Sequence, residues 1–183
     1  MEPLELLWAV LIGVFAAVGV VRGYPRELGV TTAILAALLI LTKWGDSLLR
    51  TIDSYLLGLT EASIIFEGPF SELIQSSFYI VVFLIIVFVS YHGETLAFVG
   101  HAPAGPLGIA LNLMTGLLNG YLVSGTIWYY LHAFNYPVQM VGLFRPPLTE
   151  FAQNYLVPLI PVPLLEPYLL FLVPFMIVMR VLR

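Results

Sequence analysis

The chain contains no cysteine, so it holds no disulfide, no thiolate zinc or iron–sulfur site and no covalently attached c-type haem. Charge is scarce too: only 10% of the 183 residues are Asp, Glu, Lys or Arg, and the seven basic ones are scattered. A soluble domain of this length carries about a quarter charged residues and under half apolar ones. Here 60% are hydrophobic, which points to a single-domain integral membrane protein. Without a basic cluster there is no electrostatic footprint for nucleic acid. No charged residue sits near the middle of an apolar run, whereas a proton- or ion-coupled transporter normally keeps one facing its pathway. The start, MEPLELLWAV, lacks the basic region and small-residue cleavage site of a secretory signal. Glu2 and Glu5 stand there instead, and the expectation is a retained first transmembrane helix.

What is present is a series of long apolar runs. About twenty apolar residues cross a hydrocarbon core of roughly 30 Å. Five segments approach that: Leu4 to Val21, Leu28 to Trp44, Ile74 to Tyr91, Leu107 to Phe134 and Leu164 to Leu182. The fifth holds Pro167 and Pro174 and follows Pro158, Pro161 and Pro163; proline frees a carbonyl that lipid cannot satisfy, so this segment is expected to be kinked and packed, or re-entrant. The predicted fold is all-α: a polytopic helical bundle of four or five spans with two interfacial amphipathic helices. In the first of these, Trp44, Leu48, Leu49, Ile52, Tyr55, Leu56 and Leu59 recur at helical spacing opposite Asp46, Ser47, Arg50, Asp53 and Ser54, with Asp46 as its N-cap and Gly58 loosening its end. In the second, Leu148, Phe151, Tyr155 and Leu156 share a face, with Pro147 in the first turn.

Five spans place Arg22, Arg26, Arg180 and Arg183 on one side and Lys43, Arg50 and Arg145 on the other. The first hairpin usually sets orientation, so the N-terminus is predicted outside and the C-terminus inside, with Trp8, Trp44 and Trp128 at the outer interface. In VVRGYPRELGV, two arginines would anchor both spans against the inner leaflet. Gly19, Gly23 and Pro25 would shorten the turn, and Glu27 would form an exposed ion pair of little energetic weight.

The fourth segment carries Gly108, Asn112, Gly116, Gly120 and Ser124 at four-residue intervals, a stripe of small and polar residues that lets helix backbones approach. Two uses are open: packing against the first two spans, or self-association and docking of another subunit. Gly13 and Ala17, with Ala33 and Ala37, would supply complementary faces. The third segment has no such face and is expected toward lipid or bulky hydrophobic ligands. Asn112, Asn119 and Tyr121 are the polar candidates for a passive pore. His92, His101 and His132 read as interfacial residues; the sharper alternative for His132 is an axial ligand to haem or a chlorophyll-type magnesium. Ser90, His92 and Glu94 are neighbours in sequence, which does not make a catalytic arrangement. No catalytic residue and no metal site is predicted.

GVVRGYPREL resembles the first signature of the colicin V production protein family, with Gly19, Arg22, Gly23, Arg26 and Glu27 matching position for position. The glycine ladder of that family's last common span is similar to Gly116 and Gly120. The Asp-Arg pair that usually precedes it is missing, Asn112 stands where a glycine is expected and Asn119 where an arginine is common. The resemblance covers roughly residues 4–157 and leaves 158–183 as an additional proline-rich segment. It implies a multi-pass protein of the bacterial inner membrane, not an enzyme, that helps export, envelope upkeep or assembly. The alternative from a different class is an accessory subunit of a respiratory or photosynthetic complex, packed against other subunits and holding lipid, quinone or carotenoid. Expected partners are membrane lipids and other membrane subunits or a second copy.

Overall fold

The computed structural model describes residues 4–60, 63–93, 98, 103–142 and 149–181, and every described element is helical. Five helices are long and apolar enough to cross a membrane: α1 (Leu4–Arg22), α2 (Tyr24–Thr60), α3 (Ser71–His92), α4 (Pro106–Ala133) and α5 (Pro161–Val181). A short 3₁₀ turn, Pro137–Val141, follows α4, and a wide-turn segment, Ala152–Leu156, leads through a tight one, Val157–Leu159, into α5.

The first hairpin is tighter than the sequence suggested. The loop expected over Arg22 to Glu27 reduces to Gly23 alone, in the left-handed region at φ +87°, where an L side chain is strained. Pro25 falls in the first turn of α2, which lacks partners for its N–H groups anyway. Gly19 is not a turn residue. It faces α4, where a Cβ would lie 2.6 Å from the Gly116 Cα.

The largest correction concerns α2. The second span and the first interfacial helix form one continuous helix of 37 residues, about 55 Å at the α-helical rise. Asp46 is therefore no N-cap and Gly58 no terminus. The apolar stripe at Trp44, Leu48, Ile52 and Tyr55 is real and exposed, but the side facing the bundle carries Gly45, Leu49 and Asp53. The Asp53 carboxylate accepts from the Ser63 hydroxyl at 2.9 and 3.0 Å, securing the turn that follows the helix.

Around α2 the other helices assemble; 61% of its apolar window is buried, against 17–22% for α1, α3 and α5. Its core face runs through Val30, Ile34, Leu38 and Leu41, packed with Phe83 of α3, Leu122 of α4 and Leu169 of α5. Contacts of Glu27 with Tyr91 and of Asp46 with Tyr79 make α2 and α3 antiparallel.

Helix α1 is held mainly by α4, antiparallel, through Gly19 on Gly116, Ile12 on Gly120 and Trp8 on Trp128. The expected small face at Gly13 and Ala17 points outward. The face that packs is Ile12, Ala16 and Gly19, one position off the stripe inferred from small residues alone. Ala33 and Ala37 are buried as expected. Trp44 is exposed, but Trp128 is only 2% exposed and sits edge-on to Trp8 at 6.0 Å; it is a core residue of that end.

Helix α5 begins at Pro161, so Pro161 and Pro163 occupy its first turn, where a missing N–H costs nothing. It continues as a helix through Pro167 and Pro174. Of the second amphipathic segment, Leu148 and Pro147 lie outside the described residues, while Phe151 and Tyr155 are exposed and stacked at 5.4 Å.

Candidate functional site

Where α1 turns into α2, the motif residues meet α3 and α4 in a polar node. Glu27 lies one helical turn into α2 and is fully buried. Its Oε2 accepts hydrogen bonds from the Tyr91 hydroxyl of α3 at 3.0 Å and from Asn119 Nδ2 of α4 at 2.8 Å. Its Oε1 faces Arg22 Nε at 3.1 Å, an electrostatic pair whose atoms sit out of hydrogen-bond alignment. A buried carboxylate is tolerated only when paired and hydrogen-bonded, and here three helices supply the partners.

Each partner is itself held. Arg22 donates through Nη1 to the Tyr91 carbonyl at 2.7 Å and lies over the Tyr91 ring, 4.7 Å from its centre. Asn119 Nδ2 also reaches the Glu27 carbonyl at 3.0 Å, and its Oδ1 accepts from the Thr31 hydroxyl at 2.7 Å. The Tyr24 amide, an unsatisfied donor at the start of α2, is capped at 2.7 Å by Asn112 Oδ1 from α4. Both asparagines thus bind the hairpin, one at its turn and one a helical turn deeper.

The candidate residues sort as follows. Gly19, Arg22, Gly23 and Glu27 converge in or beside the node, whereas Arg26 is exposed at its edge. The expectation of an exposed Glu27–Arg22 pair is overturned, because the α1–α4 crossing and Tyr91 close over the carboxylate. Of the stripe, Gly116 and Gly120 receive α1, where a Cβ on Gly120 would lie 2.8 Å from Ile12 Cα. Asn112 caps α2, Ser124 returns its hydroxyl to the Gly120 carbonyl at 2.6 Å, and Gly108 is buried. Packing inside the chain is therefore what Gly116 and Gly120 do.

Tyr121 bonds the Leu159 carbonyl, so the three polar pore candidates engage three different partners. His132 is exposed, its Nδ1 3.0 Å from the Tyr136 hydroxyl, which also accepts from Trp128 Nε1 at 3.1 Å. Burial pushes the Tyr136 phenol up, the Trp128 bond pulls it down, and nearby Glu5 pushes it up again. Asn135 and Tyr136 both hold left-handed backbone, φ 56° and 54°, a costly conformation; the bonds above tie down Tyr136, and Asn135 Nδ2 donates to Glu72 Oε1 at 2.9 Å. His92 stacks on Phe88 at 5.2 Å, and Ser90 donates to the Val87 carbonyl; His101 and Glu94 lie outside the described residues.

Sequence reasoning missed Asn119 and Tyr91 as partners of Glu27, and also Glu166, whose carboxylate stands 3.7 Å from Lys43 Nζ. Fold and node together define an all-helical chain with five helices of membrane-crossing length and apolarity, pinned at one end by a buried carboxylate. Comparison with protein-family models, with curated proteins and with solved structures returns no match.

Proposed function

We propose that this chain is a multi-pass inner-membrane helper without catalytic activity, a distant relative of the colicin V production family, acting in export, envelope upkeep or assembly. The observation that carries this reading is the node. Of the residues shared with that family's first signature, Gly19, Arg22, Gly23 and Glu27 lie in or beside it, and Asn119, which departs from the family pattern, supplies the neutral partner there. Such an arrangement makes the hairpin rigid, a fixed surface for a partner or for headgroups at the inner leaflet, with Arg26 exposed at its edge. In this reading the N-terminus lies outside and the C-terminus inside.

Arg26→Glu tests it, since the exposed side chain reverses charge without entering the node. A deletion strain carrying this variant should show full membrane insertion and none of the wild-type gene's rescue of the deletion phenotype. Full rescue by Arg26→Glu would sink the helper reading.

A second reading, an accessory subunit of a larger membrane complex, is favoured by one observation. A groove of about 400 Å³ runs between α1 and α3, lined by Val14, Phe15, Val18, Leu84, Phe88 and Tyr91, and would suit a lipid, quinone or carotenoid chain. Gentle extraction, native-gel separation and mass spectrometry separate the two. A stoichiometric multi-protein band supports the subunit; a small band containing this chain alone supports the helper.

A further inference from the structure

Nineteen residues along α2 from Glu27, four helices border a second polar site. A cavity of about 160 Å³ is lined by Asp46 of α2, Tyr79 of α3, Tyr129 and Tyr130 of α4, Phe134 just beyond α4, and Glu166 of α5. The rings pack on one another: Tyr79 stacks on Tyr130 at 4.7 Å and on Phe134 at 5.8 Å, and Tyr129 meets Tyr130 edge-on at 5.1 Å. The Tyr79 hydroxyl donates to Asp46 Oδ1.

The Tyr130 hydroxyl has no hydrogen-bond partner among the described residues, although the residue is only 4% exposed. A buried hydroxyl left unpaired calls for a physical explanation. The wall around it is rich in acceptors: phenol oxygens and two carboxylates. Lys43 Nζ, 3.7 Å from Glu166, offsets one carboxylate, so two negative groups and one positive leave a single negative charge. Net negative charge selects a cation.

We infer that this cavity binds a small primary ammonium ion, with Asp46 and Glu166 supplying charge and Tyr130 Oη accepting one N–H. A quaternary ammonium would leave Tyr130 without its donor. A metal ion is a poor fit, because no group of three or more carboxylate or imidazole ligands comes together among the described residues and hard cations take six or more oxygens. The ammonium is either that of a free amine or that of an ethanolamine lipid headgroup, since exposed Trp44 neighbours this site at the depth where interfacial aromatics settle.

The test uses the full chain purified in a sugar-headed detergent, titrated with ethylammonium and, at equal ionic strength, with tetramethylammonium, by calorimetry. Ethylammonium should bind saturably and at least about tenfold more tightly than tetramethylammonium, because a hydrogen bond to a charged group carries that much discrimination. Tyr130→Phe should lose about tenfold for ethylammonium and erase the preference, while melting no lower than wild type without amine. Glu166→Gln, at an exposed position, should weaken both probes alike. No saturable ethylammonium binding, or undiminished binding by Tyr130→Phe, overturns the assignment. In nanodiscs, competition by phosphatidylethanolamine would make the lipid headgroup the source, and unchanged affinity would make it a free amine.

Discussion

Replacing Glu27 isolates the energetics of the hairpin. Glu27→Ala removes the acceptor of the Tyr91 hydroxyl and the counter-charge of Arg22, but not everything Asn119 holds, since its amide keeps the Glu27 backbone carbonyl at 3.0 Å. Deleting one partner of a buried ion pair costs about 3–5 kcal/mol. Arg22 is 24% exposed and retains the Tyr91 carbonyl, which puts the cost near the lower limit, about 3 kcal/mol. Glu27→Gln keeps the shape and one acceptor, so about 1–2 kcal/mol is expected. Replacing both charges, Arg22→Met with Glu27→Leu, should recover part of the Glu27→Ala loss, because a well-packed apolar pair substitutes for a buried ionic one while the Tyr91 hydroxyl stays without its acceptor. The assay is reversible unfolding of the purified protein in mixed micelles, followed by far-ultraviolet circular dichroism. If Glu27→Ala falls within about 0.5 kcal/mol of wild type, the range of an ordinary surface change, the node does not stabilise the bundle and the reasoning fails.

Other expectations follow from the same packing. Gly116→Leu should cost about 3 kcal/mol or more, the upper end of overpacking penalties, and free α1 from α4, seen as new protease cleavage near the N-terminus. Gly13→Ala, with open space around its Cβ, should be neutral. Because the chain has no native cysteine, single-cysteine labelling reads topology directly: Arg26→Cys and Trp44→Cys, both exposed and separated by about 27 Å of α2, should react with an impermeant maleimide from opposite sides of the membrane. Tyr136→Phe removes the acceptor of Trp128 Nε1 and should cost about 1 kcal/mol, with a shift in Trp128 fluorescence.

The spans were legible because a long apolar run has few alternative readings, and the hairpin because glycine, proline and two arginines interrupt it. The end of α2 was misread for a definite reason. Polarity returns at Lys43 and Asp46, but polarity does not stop a helix, and no proline lies between Pro25 and Pro69 to do so. Gly45, the residue that might have broken it, has the Tyr79 ring packed where a side chain would go. Burial of Glu27 was illegible because its partners lie 64 and 92 residues away. The small-residue stripe on α4 was visible, whereas its matching face on α1 was not: the close approach there is made by backbone at Ile12 and Ala16 as much as by Gly19.

Two of the three carboxylates on α2 constrain how such a chain can sit in a bilayer. Glu27 and Asp46 are nineteen residues apart, about 28 Å along the helix, close to the roughly 30 Å of a hydrocarbon core. Each is bonded by a tyrosine of α3, Tyr91 at one end and Tyr79 at the other. Twelve residues of α3, about 18 Å, separate those two tyrosines, and the phenol side chains make up the difference. These two carboxylates thus lie at two levels, and between them come Ile34, Leu38, Phe83 and Leu122 together with the hydroxyls of Ser124 and Thr126, each bonded to a carbonyl of its own helix. A layer fitted between these levels leaves the last turns of α2, Ser47 to Thr60, beyond it. In that placement the exposed stripe Leu48, Ile52 and Tyr55 would lie at the level of the headgroups. The labelling pair at Arg26 and Trp44 bears on this directly: reaction of both from one side would mean that α2 does not cross between these levels, and the two-level placement would fall with it.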